Sequence, residues 1–79
     1  LAPQLVLLKE VSGDDITFIR PEKKQGTNVA YSVTARDAAA RNSIIDRIKH
    51  NKQQFGLHNM AIKRHKLNEK VFFLIPNAV

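Results

Sequence analysis

The rhythm of apolar and polar positions changes along this chain, and each change marks an element. At the start, Leu5, Leu7, Lys9 and Val11 alternate with Val6, Leu8 and Glu10, which is the two-residue period of a strand over residues 5–11. The cluster Ser12-Gly13-Asp14-Asp15 consists of turn formers. Residues 16–20, β-branched and aromatic, are then expected to return as the second arm of a hairpin. Pro21 ends that arm or sets it at a sheet edge, because proline has no N–H to give to a ladder. Residues 22–28 are polar around Gly26 and read as an exposed loop. In residues 29–33, Val29, Tyr31 and Val33 fall on one face, which predicts a third strand.

A helical rhythm begins at Thr34. Thr34-Ala35-Arg36-Asp37 has the spacing of a capping box, with the Asp37 carboxylate three residues on to reach back to the cap. Three alanines follow, the best helix formers. Ala38, Ile44, Ile45, Ile48 and Phe55 form one stripe. Arg41 and Lys52 interrupt it, but their long stems can lie along an apolar surface while the charge stays in water. Asp37 and Arg41 stand four apart in the favourable acid-first order. Lys49, His50 and Lys52 suit the negative end of the dipole, and Gly56 is a natural left-handed stop. A helix is predicted over residues 35–55.

Residues 60–67 are apolar at first and basic afterwards, Asn68-Glu69 makes a two-residue turn, and residues 71–75 are apolar on both faces before Pro76 stops them. Apolarity on both faces predicts a central strand covered on both sides. The expected fold class is therefore α+β, a small, mostly antiparallel sheet in the order β-β-β-α-β-β. One amphipathic helix packs on one face of it through Ile44, Ile45 and Ile48. A winged-helix arrangement also ends in a basic hairpin, but it needs two or three helices and only one is predicted.

Length makes this a single domain: 79 residues divided in two would leave neither half a core. The chain begins at Leu1 and is read as a domain cut from a longer protein. Cysteine is absent, so no disulfide or thiolate site can staple the fold. That usage suits a reducing, intracellular setting, cytoplasm or nucleus. No apolar run approaches the ~20 residues that span a bilayer, so no membrane partner is expected.

Charge changes the picture most. Residues 1–35 carry four cations and four anions, whereas residues 36–79 carry nine cations against Asp37, Asp46 and Glu69, the whole net charge of +6. Such asymmetry points to a polyanion, nucleic acid first. The candidate nucleic-acid contacts are Lys63, Arg64, Lys66 and Lys70 on the C-terminal hairpin, with Lys49, Lys52 and, more weakly, Arg47 at the helix end. If helix end and hairpin tip converge, these groups neutralise several phosphates. The structural use that competes with this is an edge hairpin defended by lysine. Arg36, Arg41, Asn42, Ser43 and Arg47 on the outer helix face form a weaker patch, because Asp37 and Asp46 break it.

Other chemistries find little support. Most of the five aromatics are wanted for the core, with Tyr31 the best spare, which favours backbone-directed or duplex binding over base stacking. His50, His58 and His65 match no zinc spacing, so no metal is expected. Asp14-Asp15 reads as a turn, Ser12-Gly13 lacks the glycines flanking a nucleophile elbow, and glycines 13, 26 and 56 are too scattered to cradle phosphate. The expectation is a non-enzymatic, cofactor-free, accessory domain that binds DNA or RNA. The alternative is a protein-interaction or dimerisation module using an open strand edge near residues 16–20.

Overall fold

The computed structural model describes residues 2–25 and 28–77. Its first element corrects the first expectation. Residues 3–12 form a helix, α1 (Pro3–Ser12), followed by a single 3₁₀ turn (Gly13–Asp15). Proline at the start of α1 gives up an N–H that no helix could use there. Leu5, Leu8 and Ser12 are its buried residues, at the i, i+3, i+7 spacing of one helical face. The alternation over residues 5–11 is therefore incidental. Four consecutive apolar residues satisfy either period, and two of them, Val6 and Leu7, point outward. Gly13 closes the helix at φ 54° with its N–H on the Lys9 carbonyl, a backbone setting open to glycine at little cost.

The sheet has four strands rather than five: β1 (Ile16–Gln25), β2 (Asn28–Ala35), β3 (Met60–Arg64) and β4 (Val71–Pro76). They stand in the order β1-β2-β4-β3, and every pairing is antiparallel. β1 pairs with β2 instead of with residues 5–11, and it runs on through Pro21 to Gln25. The loop expected over residues 22–28 is thus mostly strand, its remaining part at 26–27 lying outside the described residues. Pro21 sits on an edge strand, as its missing N–H demands. Register shifts at Thr17 and Glu22 add two extra residues to β1, and such bulges are a common property of edges. β4 is central, as expected, but it is covered on one side only, with Phe72 and Leu74 in the core and Phe73 on the face that no helix meets.

Alternation divides the sheet into two unlike faces. Ile16, Ile19, Tyr31, Val33, Ala35, Phe72 and Leu74 meet the helices. The second helix, α2 (Ala38–His50), contributes Ala40, Ile44, Ile45 and Ile48, and α1 contributes Leu5 and Leu8 to the same core. Both helices therefore lie on one face. This is not a winged helix, since the helices pack on the sheet rather than on each other as a bundle carrying a wing.

α2 is shorter than the predicted span of residues 35–55. Asp37, not Thr34, is its N-cap, with its carboxylate accepting from the Ala40 N–H at 2.7 Å. Ala35 is still strand, which takes Thr34 out of reach of the role. The expected Asp37–Arg41 ion pair is not formed. Asp37 instead meets Arg36 at 3.6 Å, and Arg36 also holds Asp15 at 3.1 Å. Past His50 the chain turns irregularly to Gly56 (φ 68°), while Phe55 and Leu57 drop into the core. Gly56 closes those turns rather than the helix. Arg41 and Lys52 do lie along the apolar surface. Arg41 Nη1 donates to the Val71 carbonyl (3.3 Å), and Lys52 Nζ reaches the Met60 carbonyl (3.5 Å).

Candidate nucleic-acid interface

The contacts of Arg41 and Lys52 fix the direction of α2. Its N-terminal end lies by the start of β4, and its C-terminal end points to the start of β3. Lys49 and Lys52 are thus at the opposite end of the β3–β4 hairpin from its tip. β3 alone spans about 13 Å at ~3.3 Å per residue. The convergence of helix end and hairpin tip does not occur, and the seven expected contacts separate into two groups. Arg47, Lys49 and Lys52 belong to the helix-bearing side. Lys63, Arg64 and Lys66 line one trough of about 390 Å³ with His65, Leu67 and Phe73, and Lys70 follows across the tip.

The tip is longer than a two-residue turn. Residues 65–70 form the loop, closed by the His65 N–H on the Val71 carbonyl and the Val71 N–H on the Asn68 carbonyl, both at 3.1 Å. Two side chains take the place of the missing glycine. His65 Nδ1 accepts from the Leu67 N–H (3.0 Å) and the Asn68 N–H (2.9 Å), and Asn68 Oδ1 accepts from the Lys70 N–H (3.0 Å). The ring proton of neutral His65 is then on Nε2. The Lys70 carbonyl accepts from the Ala35 N–H at 2.8 Å, which anchors the base of the loop to β2.

Beside this trough lies a second, of about 410 Å³, on the sheet face away from the helices. Phe18, Arg20 and Glu22 of β1, Ser32 and Thr34 of β2, and Val71 and Phe73 of β4 line it, with His65 and Asn68 at one end. His65 and Phe73 belong to both troughs and join them. Lys63 pairs with Phe73 across the β3–β4 ladder and so shares this face. Arg64 pairs with the buried Phe72 and leaves the sheet on the helix side, at its exposed edge.

Several side chains here have internal partners. The Arg20 guanidinium lies 4.8 Å from the centre of the Phe18 ring, a cation–π contact. His65 stacks on Phe73 with ring centres 5.7 Å apart. Ser32 Oγ donates to Glu22 at 2.7 Å, which occupies part of the one carboxylate on the face.

Arg20, Phe18 and Phe73 were not among the candidate contacts, His65 was weighed only as a metal ligand, and Tyr31, taken as the spare aromatic, packs against the core instead. A signal for the first two existed. Phe18 and Arg20 stand two apart on either side of Ile19, so a strand with Ile19 inward must turn both outward. Phe72 and Phe73 likewise take opposite faces, and only one can be in a core that has one covered side. Among the described residues no group of three or more His, Cys, Asp or Glu is placed to hold a metal ion. No helix among them is long and apolar enough to cross a membrane. No family model, curated protein or solved structure matches the chain.

Proposed function

We propose that this is a nucleic-acid-binding domain that lays its bare sheet face against duplex DNA. The observation that carries the reading is the position of Arg20, Lys63 and His65 on the one sheet face that no helix covers. Arg64, Lys66 and Lys70 border that face at the β3 edge and the hairpin tip, where they meet phosphates. Threonine and arginine are side chains that read base edges, and Thr34 and Arg20 stand together there, while Ser32 is buried with its hydroxyl on Glu22. Lys49 and Lys52 face away from a duplex in this position and act as solubilising charge.

Duplex is favoured over single strands by what already covers the aromatics. Arg20 takes one face of Phe18, and His65 takes one face of Phe73, which leaves a smaller platform than successive unpaired bases stack on. DNA is favoured over RNA by groove shape. B-DNA displays base edges to side chains in both grooves, whereas the major groove of A-form RNA is too deep and narrow for side chains to read.

A gel shift of the full chain against duplex DNA, single-stranded DNA and duplex RNA at two salt concentrations tests this. The expected result is a duplex-DNA shift that weakens steeply with salt, by about 0.9 log unit per phosphate contact for each tenfold increase. Equal affinity for all three, or affinity independent of salt, overturns it.

A second reading, a dimerisation or protein-interaction module, is favoured by a different observation. The outward side of α1 leaves Val6, Leu7 and Val11 at 42%, 40% and 49% exposure, and β1 is an edge strand. Sedimentation at two concentrations decides it, since a tight dimer that shifts no nucleic acid replaces the first reading. The two are compatible if paired copies bind paired half-sites.

A further inference from the structure

Leu67 is 93% exposed, although every other feature of its surroundings is polar or tied down. A leucine in water contributes nothing to the fold. Its neighbours at the hairpin tip are Lys63, Arg64, Lys66 and Lys70, with Glu69 the one anion in residues 63–70. The backbone beneath it is nevertheless held. Its own N–H and that of Asn68 both donate to His65 Nδ1, and the His65 ring is stacked on Phe73. An apolar side chain thus projects from a fixed loop and shares its trough with Lys63, Arg64 and Lys66.

Charge and apolarity together narrow the partner. Four cations favour a polyanion, while leucine favours a surface that is not ionic. In a duplex the apolar surface is the stacked faces of the bases, which a side chain reaches by entering a step from a groove. Leu67 lines the same trough as Phe73 and Lys63, so it stands at the end of the bare face. The geometry points to Leu67 as an apolar wedge that enters a base step of the bound duplex, unstacks it and bends it. Lys66 and Lys70 at its foot hold phosphates on either side of the opened step. Pyrimidine–purine steps, which unstack most easily, are the preferred sites of entry.

This inference rests on the proposed duplex binding, and one experiment separates the two. Duplexes carrying 2-aminopurine at successive steps are titrated with the full chain, with emission and binding both recorded across a salt series. The wild-type chain raises emission at one step. Leu67→Ala abolishes that rise, weakens binding by no more than about tenfold, and leaves the salt slope unchanged. The small loss follows because the leucine burial given up is offset by unstacking no longer forced. Leu67→Met, which keeps an apolar wedge, retains the rise. An exposed position makes misfolding of these variants a minor concern, and far-UV circular dichroism checks it.

Binding without any change in emission, or a rise that survives Leu67→Ala, overturns the wedge and leaves duplex binding standing. No binding of wild type to any duplex overturns both. An acidic bilayer is the competing partner for a leucine among lysines. Vesicles of phosphatidylserine and phosphatidylcholine are therefore run in parallel. Retention that is lost in Leu67→Ala, together with unchanged duplex emission, assigns the residue to a membrane contact instead.

Discussion

The two faces of this sheet are built from the same strands and could hardly be less alike. Toward the helices, Ile16, Val33, Ala35, Phe72 and Leu74 are sealed against Leu5, Leu8, Ile44, Ile45 and Ile48. Toward solvent, the residues between them are Phe18, Arg20, Thr34, Lys63 and Phe73, with Ser32 buried against Glu22. The covered face uses its side chains to fold the chain, at about 25 cal/mol for each Å² of apolar surface removed from water. The bare face does little of that, since Phe18 remains 45% exposed. Its cations are not needed for the core, and an aromatic left half in water is stabilised by a cation instead. One residue of offset along a strand therefore separates residues that hold the fold from residues free to meet a partner.

The neighbouring pair Phe72 and Phe73 puts this contrast to its severest test. Phe72→Ala empties a fully buried site and is expected to cost about 3–5 kcal/mol. That is from about a quarter to all of the ~4–12 kcal/mol available to a domain of this length, so its urea midpoint should fall steeply. Phe73→Ala loses part-burial and the His65 stack and should cost about 1–2 kcal/mol. If the two variants unfold at the same urea concentration, the bare face is covered in solution, and the assignment of a free binding surface is wrong.

Charge reversals sharpen the comparison next. Arg20→Glu with Lys63→Glu places two carboxylates on the bare face, whereas Lys49→Glu with Lys52→Glu places them on the helix side. The first pair should flatten the salt dependence of duplex binding by roughly 0.9 in logarithmic slope through Lys63 and relax base discrimination through Arg20. The second should move the slope by well under half that amount. A larger effect from the helix-side pair would transfer the interface to the other face.

These tests bear on what could be read from sequence. The Val29, Tyr31, Val33 alternation and the Ile44, Ile45, Ile48 stripe each made one period clear, and the structure follows them. The run Leu5-Val6-Leu7-Leu8 satisfied both periods. Pro3 at the first turn was the cue that favours helix, and its effect is local enough to be outweighed by apparent alternation. That single ambiguity had consequences for the site. With residues 5–11 as a strand, nothing announced that both helices cover one face, and so most of the aromatics, Phe18 and Phe73 among them, were wanted for a core and Arg20 was left without a role. The hairpin cations were legible as charge. Their separation from Lys49 and Lys52 was not, because it depends on the direction in which α2 crosses the sheet.

A smaller effect examines the join between the faces. Asp37 caps α2 at the point where β2 leaves the sheet, and Asp37→Ala removes the acceptor for the Ala40 N–H. The loss should be about 1 kcal/mol, seen as a fall in melting temperature of roughly 4–8 °C in a domain this size. The Arg36 ion pair lost with it is exposed and adds little. Duplex affinity should be unchanged, since the cap belongs to the covered side. A variant that melts normally but binds poorly would mean that the helix terminus, not the bare face, sets the geometry of the site.

The finest distinction lies within the bare face itself, between the ring of His65 and its nitrogen. His65→Phe keeps an aromatic surface on Phe73 but removes the acceptor that holds the Leu67 and Asn68 amides. Those amides are at the surface, so water replaces the nitrogen and the global cost should be only about 0.5–1 kcal/mol. The local consequence is larger in kind. Freed of their acceptor, the two amides should exchange with deuterium faster, while the Ala35 amide bonded to the Lys70 carbonyl keeps its protection, because local opening is independent of global unfolding. If instead Ala35 exchanges as fast as Leu67, the tip and the sheet open as one unit. The loop is then not a separately held platform, and Leu67 loses the fixed backbone that its proposed role requires.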